Sequence, residues 1–224
     1  MIELYLDSVD VAQVSRLNSC LPVCGVTTNP SILANAGIGL TQALSELSAV
    51  LGDKARFHVQ VVTETVDEML AEAIAIDKLP FDMVVKVPAT ETGLAAIKKI
   101  KRRGILVLAT AIYSTQQGFL AAMCGADYLA PYVNRMDTMG GDGVAVVVEL
   151  QQLLMVNNID CKLLPASFKN TKQVIEVMKL GVGAITLPVD VALQMITHPA
   201  VDPAVEKFNQ DWRDTFGTML SFET

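Results

Sequence analysis

Residues 83–88 read Met83-Val84-Val85-Lys86-Val87-Pro88, an almost continuous run of apolar side chains with a single lysine inside it. A β-branched run of this kind is typical of a strand buried on both faces, as in a parallel sheet. Lysine is almost never fully buried, because removing water from an ammonium group is unfavourable without a partner. Lys86 is therefore the one residue of this segment that packing does not explain.

The chemistry open to Lys86 follows from its predicted burial. Burial lowers the pKa of a lysine, by up to roughly 3–5 pH units when it is complete, so that a neutral amine is present near neutral pH. A neutral amine attacks a carbonyl group and forms a Schiff base. The alternative is an edge strand from which Lys86 points into solvent.

The chain repeats one pattern eight times: a short apolar run, a loop and an amphipathic helix. Strands that alternate with helices imply right-handed crossovers and a parallel sheet. Eight units of about 28 residues predict an α/β fold, a closed (β/α)8 TIM barrel that forms a single domain over residues 1–224. An open doubly wound sheet is the alternative, but no Gly-x-Gly-x-x-Gly sequence follows the first strand. The predicted strands are Ile2–Asp7, Cys24–Thr28, Phe57–Val62, Met83–Pro88, Ile105–Thr110, Tyr128–Val133, Lys162–Ser167 and Ala184–Leu187.

An additional C-terminal helix is predicted over residues 203–218, with Pro203 at its start. One face of this helix is apolar, and such a face must be buried against another surface. It packs either under its own barrel or on a neighbouring subunit. The apolar positions are Val205, Phe208, Trp212 and Phe216.

The composition limits the functions that are open to the chain. Of its 224 residues, 51% are hydrophobic and 18% are charged, and no apolar stretch is long and charge-free enough to span a membrane. A formal charge of −7 argues against a nucleic-acid partner, which needs a basic surface. The first residues lack the basic segment of a signal peptide, so we expect a cytoplasmic protein.

The four cysteines do not form a recognisable metal site. Cys20 and Cys24 have the closest spacing, but the chain has only two histidines and neither is near them. Free, mostly buried thiols are therefore favoured over a metal or redox site.

Polar side chains end seven of the eight predicted strands. In a (β/α)8 barrel these ends meet at one rim, where the chemistry takes place. Any one of them can be an ordinary loop residue, whereas their joint placement around one rim indicates a site. The eighth strand ends in Leu187-Pro188 and offers no such group. The candidate site residues are Asp7, Thr27, Asn29, Gln60, Lys86, Thr110, Tyr132, Arg135 and Ser167.

A Schiff base at Lys86 needs a proton relay, because its formation and hydrolysis both move protons. Gln60 on the preceding strand and Thr110 on the following one can hold a water molecule for this relay. Tyr132 titrates most readily among these groups, so it is the candidate acid/base. Its alternative is a ring that packs at the rim with its hydroxyl group in water.

The remaining candidates are suited to bind a substrate. The guanidinium group of Arg135 matches a phosphate, and Ser167 can add a hydroxyl donor. An ion pair with Asp137 is the alternative for Arg135. Asp7 and Asn29 can bind sugar hydroxyl groups, although Asn29 can equally cap a helix.

One histidine, His58, lies two residues before Gln60 and faces the same way but deeper. We expect it to be packed in the barrel and hydrogen-bonded, with no role as a ligand.

Four segments of the chain resemble the transaldolase superfamily, and within it the fructose-6-phosphate aldolases. The similarity extends from Leu4 to Trp212, which is nearly the whole chain. The segments are Gly25-Val26-Thr27-Thr28-Asn29-Pro30-Ser31, Val84-Val85-Lys86-Val87-Pro88, Ala130-Pro131-Tyr132-Val133-Asn134-Arg135 and Ala166-Ser167-Phe168-Lys169.

This resemblance assigns a role to each candidate. It implies that Lys86 is the Schiff-base lysine and Tyr132 the acid/base, and that Gln60 and Thr110 hold the catalytic water. The implied contacts to a dihydroxyacetone unit come from Asp7, Thr27 and Asn29, and those to the acceptor's phosphate from Arg135 and Ser167.

The resemblance also implies an aldehyde-lyase of carbohydrate metabolism that uses neither a metal nor an organic cofactor. Its substrates would be sugar phosphates and dihydroxyacetone. Its members assemble as decamers of two pentameric rings, in which the C-terminal helix reaches a neighbouring subunit.

Gln60 and Tyr132 distinguish the two activities of the superfamily. Transaldolases typically have Glu and Phe at these positions, so the pair in this chain favours the aldolase. Two departures from the aldolase pattern, Ala109 and Pro165, adjoin site residues and bear on substrate preference. The alternatives are a transaldolase and a catalytically silent sugar-phosphate binding protein.

Overall fold

The computed structural model describes residues 2–224, the whole chain apart from Met1. Eight strands and the helices between them follow one another in the predicted order. The strands are β1 (Glu3–Asp7), β2 (Val23–Thr27), β3 (Arg56–Gln60), β4 (Asp82–Pro88), β5 (Val107–Ile112), β6 (Tyr128–Pro131), β7 (Lys162–Leu163) and β8 (Ala184–Leu187). The α-helices are α1 (Val11–Asn18), α2 (Pro30–Ala36), α3 (Leu40–Leu51), α4 (Val66–Asp77), α5 (Glu91–Lys101), α6 (Thr115–Met123), α7 (Val133–Thr138), α8 (Gly143–Val156), α9 (Thr171–Met178), α10 (Val189–Ile196) and α11 (Val201–Phe216).

All eight strands are parallel and form one sheet in the order β7-β6-β5-β4-β3-β2-β1-β8. The two edges of this sheet approach each other, and the amide of Thr186 donates to the carbonyl of Pro165 at 3.2 Å. The predicted (β/α)8 TIM barrel is confirmed. The open doubly wound sheet is not formed.

Side chains of β4 alternate between the two sides of the barrel wall, as the two-residue period of a strand requires. Val85 and Val87 pack outward against the helices, in the large core between the sheet and the helical layer. Val84 packs inward with Tyr5, Leu108 and other residues of the barrel interior. Lys86 shares the inward face with Val84.

Most helices begin at a polar side chain that accepts a hydrogen bond from the first turn, which satisfies amide groups that would otherwise lack a partner. The capping residues include Asp10, Asn29, Thr65, Thr90, Ser114, Asp142 and Asn170.

Only β8 has the predicted boundaries at both ends, and three of the differences in the other strands lie at the rim of the barrel. The seventh strand has only two residues instead of six, although the amides of Leu164 and Ala166, on either side of Pro165, still donate to carbonyl groups of β6. The fifth strand runs two residues further than predicted, and its register shifts between Ala109 and Ile112. The sixth strand ends at Pro131, because the unpredicted helix α7 begins at Val133.

The floor of the barrel, at the N-terminal ends of the strands, is closed by a polar network around Glu3. Its carboxylate accepts hydrogen bonds from the hydroxyl groups of Tyr5 at 2.9 Å and Tyr128 at 3.0 Å, and from Nζ of Lys162 at 2.6 Å. Arg56 donates to the Tyr128 hydroxyl at 2.7 Å. Burial alone would raise the pKa of Glu3, but the hydrogen bonds from Lys162, Tyr5 and Tyr128 outweigh it and lower that pKa.

The C-terminal helix α11 begins two residues before its predicted start and ends two residues before its predicted end. None of its residues is buried, and Phe208 is 67% exposed. The apolar stripe of α11 is therefore not buried under its own barrel. No helix within residues 2–224 combines the length and the apolar character that a membrane crossing requires.

Candidate functional site

A cavity of about 280 Å³ opens at the C-terminal ends of the strands, and we call it the mouth cavity. Residues on or shortly after every strand except β3 contribute to its wall. The predicted site residues that line it are Asp7, Thr27, Asn29, Lys86, Tyr132, Arg135 and Ser167. The sequence-based expectation of one shared rim is therefore met for these residues.

Lys86 lies on the wall of the mouth cavity with only 5% of its surface exposed. Its Nζ donates a hydrogen bond to the carbonyl oxygen of Thr28 at 2.5 Å. Burial lowers the pKa of Lys86, and the negative charge of Asp7 opposes this only in part. A lysine that points into bulk solvent is thus ruled out, and its amine is suited to nucleophilic attack.

Thr28 holds the carbonyl group that receives the Lys86 amine. Its own amide and hydroxyl groups both donate to the carbonyl of His58, at 2.9 Å and 3.2 Å. Thr28 is buried, so this contact is shielded from water. The sequence motif contained Thr28, but nothing in the pattern indicated that its backbone would meet Lys86.

Thr110 and Tyr132 form a pair at the ends of adjacent strands. Their hydroxyl oxygens are 2.9 Å apart, and Thr110 is completely buried. Burial raises the pKa of Tyr132, while the hydrogen bond to Thr110 and the charge of Arg135 act in the opposite direction. The Tyr132 hydroxyl group therefore points inward, and the alternative of a hydroxyl group in water at the rim is wrong.

Two of the candidates, Thr110 and Gln60, do not line the mouth cavity. Thr110 reaches it only through its contact with Tyr132. Gln60 pairs with Lys86 in the β3–β4 register. It lines a neighbouring cavity of about 210 Å³, together with apolar residues of α2, α3 and α4. Asn29 lines both cavities, so it stands on the wall between them.

Hydroxyl and carboxylate groups form a chain on the opposite side of the mouth cavity. Thr27 donates to Asp7 at 2.6 Å, and its oxygen lies 2.8 Å from that of Thr186. Thr186 lines the cavity and is buried, although the eighth strand offered no candidate in the sequence. The available signal was a threonine inside an otherwise apolar strand, one residue before its end. Asn29 accepts from the amide of Ile32 at 3.0 Å, so it caps α2 as well as lining the cavity.

The cationic end of the cavity contains Arg135, Ser167 and a residue that the sequence-based roles omitted, Lys169. Ser167 has a φ of 62°, a left-handed backbone conformation that is uncommon outside glycine. Asp137 does not pair with Arg135, because its carboxylate accepts from the amide of Gly143 and the side chain of Gln173, both at 2.7 Å. The alternative of an Arg135–Asp137 ion pair is wrong.

His58 lies beneath this site, in the barrel interior. Its ring is fully buried and meets the rings of Tyr5 and Tyr128 edge to face, with centroids 4.6 Å and 5.3 Å away. Neither ring nitrogen has a hydrogen-bond partner within residues 2–224, contrary to the expected hydrogen-bonded histidine. Burial, together with the charges of Lys86 and Arg56, lowers the pKa of His58 well below its usual range, so the ring is neutral.

No group of three or more His, Cys, Asp or Glu side chains suited to a metal ion occurs in the described part of the chain. All four cysteines are free; Cys20 is exposed and the other three are half-buried, which corrects the expectation that they are mostly buried. The charged groups that line the mouth cavity are instead the amine of Lys86, the guanidinium group of Arg135, the ammonium group of Lys169 and the carboxylate of Asp7. Several hydroxyl and amide groups complete the lining.

Solved structures of other proteins share this fold. A thiamine phosphate pyrophosphorylase from Pyrococcus furiosus is 18% identical, with a TM-score of 0.53 over 96% of this chain and 98% of its own. A protein from Sinorhizobium meliloti described as an isomerase is 10% identical, with a TM-score of 0.61 over 85% of this chain. The chain spans about half the length of that protein, 52%. A flavocytochrome b2 variant with sulfite bound is 12% identical, with a TM-score of 0.60 over 96% of this chain and 62% of its own.

At these identities the likeness concerns the fold alone.

A family model identifies the family of the chain as well as its fold. It matches residues 4–223, a range that includes every residue of the mouth cavity. The description of that model is Transaldolase/Fructose-6-phosphate aldolase. The chain belongs to the transaldolase/fructose-6-phosphate aldolase family of enzymes.

Proposed function

We propose that this enzyme is a class I aldolase that cleaves fructose 6-phosphate into dihydroxyacetone and glyceraldehyde 3-phosphate, and catalyses the reverse addition. The observation that carries this proposal is the buried amine of Lys86 on the wall of the mouth cavity. Its lowered pKa makes the neutral form available for attack on a ketone. No metal or organic cofactor is needed, because the protonated imine itself withdraws electrons.

The reaction begins when Nζ of Lys86 attacks C2 of the open-chain ketose. The carbinolamine loses water, with protons moved by Tyr132 and a water molecule held near Thr110, and an iminium ion forms. The 2.9 Å contact between the Thr110 and Tyr132 hydroxyl groups supports this relay, since it keeps the phenol oriented toward the cavity. We also assign Gln60 to the water of this relay, because it pairs with Lys86 across β3 and β4, although its side chain lines the neighbouring cavity.

Carbon–carbon cleavage follows from the iminium ion. A base removes the proton of the C4 hydroxyl group, the C3–C4 bond breaks, and its electron pair moves into the iminium to give an enamine and an aldehyde. Protonation of the enamine at C3 and hydrolysis of the imine release dihydroxyacetone and restore the Lys86 amine. In the synthetic direction Tyr132 donates its proton to the aldehyde oxygen as the new bond forms.

Substrate binding divides between two sides of the mouth cavity. We assign the hydroxyl groups of the dihydroxyacetone unit to Asp7, Thr27 and Asn29, and the hydrogen-bonded Thr186 extends this set. The phosphate group is assigned to Arg135 and Ser167, with Lys169 as a second cation. Two cations at one rim suit a dianion in a protein whose net charge is −7.

The second candidate is a transaldolase, which passes the enamine to an aldose phosphate instead of releasing dihydroxyacetone. Gln60 and Tyr132 favour the aldolase, since both occupy positions where the transaldolase pattern has Glu and Phe. An assay of fructose 6-phosphate cleavage with and without erythrose 4-phosphate separates the two activities. We expect glyceraldehyde 3-phosphate to appear without the second sugar; strict dependence on it would show a transaldolase, and no reaction in either case would leave only sugar-phosphate binding.

The exposed apolar stripe of α11 supports a further part of the proposal. We propose that this helix covers a neighbouring subunit in a homodecamer of two pentameric rings. A helix with Phe208 67% exposed and Val205 47% exposed leaves apolar area in water that association would bury.

A further inference from the structure

Tyr113 stands next to the cationic end of the mouth cavity without a role in the reaction as proposed above. Its hydroxyl oxygen accepts a hydrogen bond from Nη1 of Arg135 at 3.2 Å. Its ring meets the ring of Tyr132 edge to face, with centroids 5.5 Å apart and an interplanar angle of 76°. The guanidinium carbon of Arg135 in turn lies 4.8 Å from the centroid of the Tyr132 ring. Tyr113, Arg135 and Tyr132 thus contact one another pairwise.

We propose that Tyr113 is a positioning residue that holds Arg135 over Tyr132, so that one guanidinium group both binds the acceptor's phosphate and controls the protonation of the acid/base. Phosphate binding and proton transfer are thereby coupled. The inference rests on the proposed function, from which it takes the roles of Arg135 and Tyr132.

Apart from the contact with the Tyr132 ring, the hydrogen bond to Tyr113 is the one polar contact that the guanidinium group makes in the described chain. Asp137, two residues away on α7, directs its carboxylate to Gly143 and Gln173 instead. Arg135 is exposed and its side chain is long, so without the Tyr113 hydroxyl group it would sample many conformations. Helix α7 itself is anchored by the buried side chains of Val133 and Met136. The backbone therefore stays in place whether or not Tyr113 holds the arginine.

The charges around Tyr132 determine the direction of the coupling. Arg135 favours the ionised phenol, whereas Asp7 across the cavity disfavours it. The other titratable groups around the cavity are Lys86, Lys169 and Tyr113. A dianionic phosphate on Arg135 cancels much of its positive charge. Tyr132 then remains protonated to higher pH. The protonated phenol is the form that must donate to the aldehyde oxygen. A phosphorylated acceptor would thus raise the pKa of Tyr132 further as it binds and hold the phenol in its acid form.

A direct test follows the ionisation of Tyr132 in protein labelled with ¹³C at Cζ of tyrosine. The chain has only 4 tyrosines, and Tyr132→Phe identifies the resonance. Titration is run from pH 8 to 12 with inorganic phosphate or with sodium chloride at equal ionic strength. In the parent we expect phosphate to raise the midpoint for Tyr132 by about 0.5–1 pH unit, from a charge cancelled at about 5 Å.

The variant Tyr113→Phe keeps the ring and removes the hydroxyl group. The phosphate-dependent rise should fall below half of its parental size. In synthesis from dihydroxyacetone, the KM for glyceraldehyde 3-phosphate should increase roughly three- to tenfold, as expected for one lost hydrogen bond, while that for glyceraldehyde should stay within twofold. Tyr5→Phe is the matched control at the opposite end of the barrel, and it should leave the phosphate-dependent rise unchanged.

Two results overturn the inference: no phosphate-dependent shift in the parent, or the same shift in Tyr113→Phe as in the parent. Both results come from the titration with inorganic phosphate, which requires no catalytic turnover. An enzyme that shows the shift and its loss in the variant, but no cleavage of fructose 6-phosphate, would support the coupling of Arg135 and Tyr132 and contradict the proposed substrate instead.

Discussion

At the scale of single residues, the burial of Lys86 affects stability as well as chemistry. Its pKa is lowered in the folded protein, so the unfolded chain binds more protons than the folded one between the folded value and the usual value of 10.5. Stability therefore rises with pH across this range, and the penalty is largest below the folded pKa and absent above about 10.5. A buried amine without a carboxylate in hydrogen-bond contact is a cost that the fold carries for its function.

Lys86→Met is accordingly expected to increase the free energy of unfolding at pH 7 while abolishing catalysis. Urea unfolding of parent and variant at pH 7 and pH 10 measures this, and the gain should be smaller at pH 10. A gain of the same size at both pH values would mean that the amine is not the source. A less stable variant would contradict the claim that desolvation dominates at this position.

At the scale of elements, α11 is the helix that we propose to pack on a neighbouring subunit. Its apolar residues recur at helical spacing, and none of them is buried in the subunit. Phe208→Asp places a charge in the middle of this stripe, so we expect the assembly to dissociate into smaller species, because a charge is unfavourable in an apolar contact. Light scattering coupled to size-exclusion chromatography measures the mass.

Asn209→Asp is the matched control for this helix, since it adds the same charge at the next position, outside the stripe. It should leave the assembly intact. If the parent is a monomer, or if Phe208→Asp has the mass of the parent assembly, α11 does not mediate association.

At the scale of the whole molecule, the barrel has a catalytic end and a structural end. The structural end is the floor network around Glu3, whose pKa is lowered chiefly by hydrogen bonds that outweigh its burial. A lowered carboxylate pKa contributes stability above its unfolded value near 4.5, and this contribution is lost as the pH falls through the folded pKa.

Glu3→Gln should lower the free energy of unfolding at pH 7 by about 1 kcal/mol, a value reduced for the partial exposure of the site. The difference between parent and variant should disappear toward pH 3. Denaturant unfolding from pH 7 to pH 3 measures it, with the exposed Glu64→Gln as a control. A difference that is constant with pH would indicate lost packing instead of lost charge.

The sequence predicted the barrel because its signal is local and repeated eight times. The sequence was less informative about strand ends and cavity-lining residues, because these depend on contacts between residues far apart in the chain. The regular part of β7 ends at Leu163, although Leu164 and Ala166 still donate to β6, and the apolar run in the sequence does not indicate this early end. Thr186 was missed because only the curvature of the barrel brings β8 next to Thr27.

The contacts of Arg135 also could not be predicted from the sequence. Asp137 is the nearest acidic residue in sequence, but α7 turns its carboxylate away, and Tyr113, from 22 positions earlier, takes its place beside the guanidinium group. Gln60 follows the strand pattern and pairs with Lys86, yet its side chain borders the neighbouring cavity. Which residues are polar and at a strand end could be predicted, whereas their partners depend on the assembled structure.

The central claim is that Lys86 forms a Schiff base with the substrate, and borohydride reduction tests it most directly. The protein is incubated with dihydroxyacetone and sodium borohydride, digested, and analysed by peptide mass mapping. We predict loss of activity and a single reduced adduct on the peptide that contains Lys86, with no adduct in folded Lys86→Met. An adduct on another lysine, or full activity and no adduct after reduction, would contradict the account.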